Sequence, residues 1–273
     1  PGALTSPARE FFLGKFGLVA ANAAWELPLP PSRICAGTAE VRKFASEVGW
    51  PVVVKPSDQL GGAGIRKFNN ESELAASSDS LKFPLLAQKF ILGPRLVLDF
   101  FCSRGRPLVW LSTYSLRQAH GPFSYSTARL FRAMPALGPL VEKLAACTRF
   151  EGFCGADCIE ETGTGRVYLL EFNPRLMSGF RSARLCGVDC TPAMKAWVGE
   201  SSPPSAPITL PAGCEIPVHY FPTDLTRCLR QRDWKGLKIW LPGARSRHDF
   251  CLDDLGVMLA SSLSRLNQSV VKK

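Results

Sequence analysis

The sequence predicts an α+β fold in two lobes, and two patterns carry that prediction. Between Ile34 and Ala87, short apolar runs alternate with short amphipathic stretches in the order strand, helix, strand, glycine loop, strand, helix, strand. Beyond residue 90, two stretches rich in strand-forming residues fold back across Ser103-Arg104-Gly105-Arg106 and Gly163-Thr164-Gly165, with an amphipathic helix between them. A compact lobe followed by a larger one is the result, and 273 residues suffice to bury a substantial core.

Taken in order, Ser6 to Trp25 reads as helical and Pro28-Leu29-Pro30-Pro31 as a stiff connector. In the first lobe Ala39 to Val48 and Ser72 to Ser78 are helices, and Pro51 to Lys55 is a short buried strand ending on a lysine. In the second, Leu96 to Cys102 pairs with Pro107 to Ser115, and Pro135 to Thr148 is the helix. Phe153 to Thr162 then pairs with Arg166 to Asn173, and Thr191 to Val198 is a further helix. Ser201 to Pro207 is a proline-rich break. Glu215 to Phe221 reads as a strand and Asp254 to Leu266 as a terminal amphipathic helix, with Trp234, Trp240 and Arg245-Ser246-Arg247-His248 between them. The expected division is 1–33, helical segment and connector; 34–90, small lobe; 91–200, large lobe; and 201–273, an extension packed on the large lobe.

Composition removes several function classes. Apolar residues make up 46%, and no apolar run reaches the ~20 residues that span a bilayer. The first residues lack a charged and apolar leader pattern. Ten cysteines stand beside only three histidines without a Cys-x-x-Cys, so reduced thiols in a cytoplasmic protein are expected rather than a zinc or redox site. The net charge of +10 is spread along the chain without a basic run or a nucleic-acid module, so nucleic acid is not expected as a partner; an anionic small-molecule site needs positive potential as well.

Two segments carry the chemistry. If Thr162 faces Arg166 across a three-residue loop closed by Gly165, Asp157 falls directly opposite Glu171, their side chains about 5 Å apart on one face. Asn173, two residues further, joins them, because side chains alternate with a period of two. Two carboxylates and an amide suit one or two Mg²⁺ ions bridged to phosphates, and Arg175 just past the strand can meet a phosphoryl group or an oxyanion. The other segment places Lys55 at a strand end before Gly61-Gly62-Ala63-Gly64, where backbone N–H groups can close around anionic oxygens. It matches neither G-x-x-x-x-G-K-[ST] nor G-x-G-x-x-G.

Together, "WPVVVKPSDQLGGAGI", "LLAQKFILGPRLVLDFF" and "GFCGADCIEETGTGRVYLLEFNPR" resemble, in order and spacing, the ATP-grasp superfamily over about residues 10 to 200. That superfamily includes biotin carboxylase, carbamoyl phosphate synthase and D-alanine-D-alanine ligase. The resemblance implies ATP in a cleft between two α+β lobes, phosphorylation of a small-molecule carboxylate, and capture of the acylphosphate by an amine. It makes Lys15 and Lys55 phosphate-contacting lysines and Gly61, Gly62 and Gly64 part of a loop covering the phosphates. It also makes Gln88, Lys89, Phe90 and Ile91 the hinge that reads adenine. Asp157, Glu171 and Asn173 take the Mg²⁺ positions, and Arg175 that of an arginine beside the transferred phosphoryl group. Tyr114, Arg117 and Ser124 to Ser126 lie where members often place substrate contacts; Arg181 and Arg184 follow the Arg175 turn, and any of these arginines can fork onto a carboxylate.

Two departures accompany the match. Gly93-Pro94-Arg95 puts a cation where many members hold the ribose with a glutamate. The Rossmann-like domain that members carry ahead of the Lys15 region is not in this sequence, which implies a missing N-terminal domain or a partner chain. A nucleotide-binding subunit without turnover is therefore the alternative expectation to a ligase.

Overall fold

The computed structural model describes residues 14–57, 59, 61–241 and 247–249. The expected helix over 254–266, the residues before 14 in the expected first helix, and Arg245 and Ser246 lie outside them. In chain order the elements are α1 (Lys15–Trp25), β1 (Ser32–Cys35), α2 (Thr38–Val48), β2 (Val52–Lys55), β3 (Arg66–Phe68), α3 (Glu71–Ala75) and β4 (Leu85–Lys89). There follow β5 (Arg95–Ser103), β6 (Arg106–Gln118), β7 (Ser126–Arg132), α4 (Gly138–Thr148), β8 (Gly152–Glu160), β9 (Val167–Asn173), α5 (Ser178–Arg181) and α6 (Thr191–Trp197). The last are β10 (Glu215–Tyr220), α7 (Thr223–Arg230), α8 (Trp234–Leu237) and β11 (Arg247–Asp249).

Four strands in the order β1-β4-β2-β3 form the small lobe's sheet. Its inner face packs Val52, Val54, Phe68 and Ala87 against Val41, Phe44 and Ala45 of α2. Asn70 starts α3 by accepting from the Glu73 N–H, which satisfies one of the donors a helix start leaves open.

The second sheet has seven strands, β11-β10-β7-β6-β5-β8-β9. Its strands read as near-continuous apolar runs because both faces are covered, unlike the alternation of a half-solvated sheet. Leu96, Leu98 and Phe100 of β5 point to one core with Leu18 of α1 and Val141 and Leu144 of α4. Phe101 points to the other, with Val109, Phe131, Ala193 and Val218. Each such side chain contributes about 1.5–3 kcal/mol by leaving water.

The connector after α1 positions the small lobe. Glu26 ends the helix in the left-handed region at φ 49°, the Leu27 N–H donates to Asn22 Oδ1, and the Pro28 carbonyl accepts from the Leu169 N–H of β9. The Pro31 carbonyl then accepts from the Lys89 N–H at the end of β4. A chain segment without free N–H groups at its prolines thus ties both sheets together.

Several expectations change in detail. The β8–β9 hairpin does not turn with Thr162 facing Arg166: the Glu161 N–H donates to the Arg166 carbonyl, and Cys158 pairs with Leu169, one residue out of the expected register. A bulge between Asp157 and Cys158 takes up the extra residue, and Asp157 still pairs with Glu171. The expected helix over 72–78 is the shorter α3 followed by a single turn at Ser78–Ser80. Strand β7 and helix α7 were not expected. Residues past the proline-rich break enter the large sheet, β10 pairing antiparallel with β7.

Candidate active site

The two sheets face each other across a cavity of about 380 Å³. Its floor is the large sheet, where β8 and β9 present Asp157, Glu171 and Asn173 side by side. Asn173 Nδ2 donates to Asp157 Oδ2 at 2.9 Å, which fixes the amide with its oxygen available to a ligand. Asp157 and Glu171 are partly exposed, at 24% and 32% of their side-chain surface. Arg175, just beyond β9, also lines the cavity.

The two lysines come from different elements. Lys15, the first residue of α1, is buried; its Nζ donates to the Gln59 carbonyl at 2.9 Å and lies 3.4 Å from Glu171 Oε1. Lys55 ends β2 and is buried with its Nζ donating to Gln88 Oε1 at 2.6 Å. Burial lowers the Lys55 pKa to about 8, only partly offset by the Glu171 carboxylate and reinforced by the Lys15 charge. Gln88 is itself held by its amide donating to Ser32 Oγ. The lysine is thus positioned by a neutral acceptor rather than neutralised by an acid.

Gly61 and Gly62 line the cavity with φ of 64° and 82°, which favours glycine. A Cβ at Gly62 would lie 1.9 Å from the Phe123 carbonyl, so the loop seats on the β6–β7 connection only as glycine. Gly64, also at positive φ, packs against Pro56 and does not line the cavity.

At the end of β4, Lys89 and the following Phe90 and Ile91 line the cavity's apolar end with Ile159 and Leu170. The N–H groups of Lys89 and Phe90 donate to Pro31 and Pro51. The Lys89 ammonium turns away and donates to the Val48 carbonyl at the end of α2, leaving its backbone at the cavity wall.

Of the expected acceptor contacts, Ser126 and Tyr125 reach the cavity. Tyr114 does not: it pairs with Leu96, on the opposite sheet face, and its hydroxyl donates to Glu160. Arg117 is engaged by Asp224 of α7 at 3.4 Å. Arg181 and Arg184 lie outside the cavity lining.

Sequence reasoning missed the pair Asp99–Arg129. Arg129 of β7 lies across the floor, lines the cavity and places a terminal nitrogen 3.1 Å from Asp99 Oδ2, both side chains being buried. Burial raises the Asp99 carboxyl to about 6 against the opposing charge of Arg129. The available signal was a charged residue inside each of two apolar runs, LVLDFF and TARLF. Arg95, visible in the sequence as a departure, lines the cavity; its guanidinium donates to the Ser124 carbonyl at 2.6 Å and approaches Asp157 Oδ1 at 3.9 Å.

Chemically, the floor offers hard oxygen donors from two carboxylates and one amide, the set that suits Mg²⁺. Among the described residues no three His, Cys, Asp or Glu side chains gather, so a softer, nitrogen- and sulfur-rich metal site is not built here.

A cleft between a four-stranded lid and a larger sheet, with one lysine on the lid, another at the start of α1 and acids on a hairpin, defines a nucleotide-binding ATP-grasp architecture. Residues 22–179 match the family model of the ATP-grasp domain, more than half of the chain, and the chain belongs to that family. Among its relatives is the D-alanine–D-alanine ligase of Aromatoleum aromaticum, 32% identical over 164 residues, 55% of this chain and 52% of that protein. The chain therefore spans about half the length of this curated relative. The structure of the biotin carboxylase–β-γ-ATP complex from Campylobacter jejuni superposes with TM-score 0.61 at 20% identity, over 76% of this chain and 50% of that one. The biotin carboxylase domain of Hydrogenobacter thermophilus 2-oxoglutarate carboxylase, solved with MgADP and bicarbonate, has TM-score 0.58 at 21% identity, covering 72% and 47%. At these identities the two structures establish likeness of fold.

Proposed function

We propose that the chain is an ATP- and Mg²⁺-dependent ligase that activates a small-molecule carboxylate as an acylphosphate for attack by an amine. The observation that carries this reading is the convergence of Lys15, Lys55, Asp157, Glu171 and Asn173 in one cavity, from segments far apart in sequence. Adenine would lie at the apolar end between Ile91, Ile159 and Leu170, with the triphosphate running toward Arg175. Lys55, held by Gln88, and Lys15 would neutralise phosphate oxygens, and the N–H groups of Gly61 and Gly62 would cover them. Gly64, set back from the cavity, would shape that loop. Asp157, Glu171 and Asn173 would hold Mg²⁺, which when bound supplies charge neutralisation to the β- and γ-phosphates.

Arg175 would stabilise the γ-phosphoryl group as the substrate carboxylate oxygen bonds to phosphorus and the bond to ADP breaks. The amine then attacks the acyl carbon, phosphate leaves and a proton is released, giving an amide. Positioning and charge carry this work, without a nucleophilic side chain. We place the reaction in the cytoplasm, in keeping with the nine described cysteines being free thiols. No helix of the described residues is long and apolar enough to cross a membrane. A further domain or a partner chain would complete the acceptor site, since the relatives are longer than this chain.

ADP release from ATP, Mg²⁺ and a pool of amino acids, with candidate partner chains added, tests the proposal. Glu171→Gln should abolish that release with an unchanged circular dichroism spectrum; unaltered release would remove the carboxylate from the mechanism. A second reading, a nucleotide-binding subunit without turnover, is favoured by Arg95 beside Asp157. Magnesium-dependent ATP binding that no carboxylate converts to ADP release would establish it instead.

A further inference from the structure

We propose that Arg95 is a resident cation of this cleft that takes the place of one divalent ion, so that the site holds a nucleoside triphosphate with a single Mg²⁺. The inference rests on the ATP-binding reading above and concerns how many ions that binding needs.

Arg95 opens β5, and its guanidinium is anchored at one end and turned toward Asp157 at the other. One nitrogen donates to the Ser124 carbonyl at 2.6 Å, and another stands 3.9 Å from Asp157 Oδ1. Sheet register places it on the same face as Asp157: β5 pairs with β8 so that Val97 meets Asp157 and Arg95 meets Ile159. Three of the four carboxylate oxygens that two ions would share are therefore already addressed. Asp157 Oδ1 faces Arg95, Asp157 Oδ2 accepts from Asn173, and Glu171 Oε1 faces Lys15. Two ions held together sit about 3.5–4 Å apart and need carboxylate oxygens in common. A guanidinium anchored beside one of those carboxylates repels a second divalent charge there.

Charge counting leads to the same number. Lys15, Lys55, Arg95 and Arg175 face the cavity, against the carboxylates Asp157 and Glu171. The Lys89 ammonium is turned to the Val48 carbonyl, and Arg129 is paired with Asp99. A triphosphate brings about four negative charges at neutral pH. Four cations against two carboxylates and that ligand leave two negative charges uncompensated, which one Mg²⁺ cancels. A glutamate at position 95 would leave four, which calls for two ions.

The test is a titration of Mn²⁺ into the protein with saturating β,γ-methylene ATP, free Mn²⁺ being read by electron paramagnetic resonance. The wild-type chain should bind one Mn²⁺, and Arg95→Glu should bind two. If Arg95→Glu does not fold, Arg95→Met should show a second, weaker Mn²⁺ site. Two ions on the wild-type chain, or one ion on a folded Arg95→Glu and no second site in Arg95→Met, would overturn the role of Arg95 while leaving nucleotide binding intact. A wild-type chain that binds no nucleotide, with or without Mn²⁺, would overturn the ATP-binding reading and this inference with it.

Discussion

Two ionic clusters sit on the large sheet, and they are built in opposite ways. Around Asp224, which is fully buried, the Arg227 Nε lies at 2.8 Å, Thr127 Oγ1 at 2.8 Å and His219 Nδ1 at 2.7 Å, and Arg227 reaches on to Asp233 at 2.9 Å. Burial pushes the Asp224 carboxyl up, but the hydrogen bonds from His219, Arg227 and Thr127 outweigh it and hold it at about 2. In the cleft, by contrast, Asp157 and Glu171 meet their cations at 3.9 and 3.4 Å and keep part of their surface open. Short bonds from every side leave Asp224 no capacity for a ligand. Long, single-sided ion pairs leave the cleft carboxylates able to exchange a lysine or arginine contact for a metal or a phosphate. Saturation separates a cluster that holds β7, β10 and α7 together from one poised for chemistry.

The sharpest way to break the contrast is Asp224→Ala. It leaves the buried Arg227 with Asp233 as its remaining carboxylate and removes the acceptor of His219 and Thr127, and should cost about 3–5 kcal/mol in urea unfolding, whereas ATP affinity per folded molecule should not change. An equal loss in both would mean that the two clusters are not independent.

Asp99, partnered by Arg129 but with its Oδ1 lacking a hydrogen bond, is intermediate between the two. Its folded pKa of about 6 is raised above the ordinary 3.8, so between pH 4 and 6 the folded state binds more protons than the unfolded state. Stability from this group is therefore greatest below pH 4 and is lost as pH rises to 6, by about 3 kcal/mol at most. In Asp99→Asn that slope should vanish, seen as a pH-dependent difference between the unfolding curves of variant and wild type.

Within the cleft, Asp157→Asn keeps the shape and removes the charge. Turnover should fall about a hundredfold or more, the scale of losing one electrostatic contact in an active site. The melting temperature should move little, because the carboxylate's long contact to Arg95 contributes little to folding. A large loss of stability would place Asp157 with Asp224 among the structural acids.

The difference also explains what was legible in the sequence. The Asp157–Glu171–Asn173 face was readable because one local hairpin with period-two alternation builds it; even an error of one residue at the turn was absorbed by the bulge near Leu170. Lys55 and its glycines were readable as a strand end and a loop. The Asp224 network was not, since Thr127 lies 97 and Arg117 107 residues away from it, and no local pattern announces such a meeting. Strand β7 was missed because Thr127, Arg129 and Arg132 break its apolar run, and the partners of Thr127 and Arg129 lie far off in sequence, on α7 and β5. Arg95 was visible as a departure, but its direction toward Asp157 depends on the β5–β8 pairing.

Lys55 gives the effect with the most informative sign. With a folded pKa lowered to about 8, it binds fewer protons than the unfolded chain between about pH 8 and 10.5. The burial penalty is present in full below pH 8 and fades above it, so this group makes the ligand-free protein more stable as pH rises through that window. Triphosphate binding should do the reverse. Phosphates favour the ammonium form, so affinity should be flat below pH 7 and weaken about tenfold per pH unit above 8, until the pKa of the bound state is reached. Calorimetric titration with ATP and thermal unfolding without it, on the same pH series, would show the two slopes running in opposite directions, and Lys55→Met should lose both. An ATP affinity that stays level through pH 9 in the wild-type chain, while the stability slope persists, would mean that Lys55 is buried beside the triphosphate without touching it.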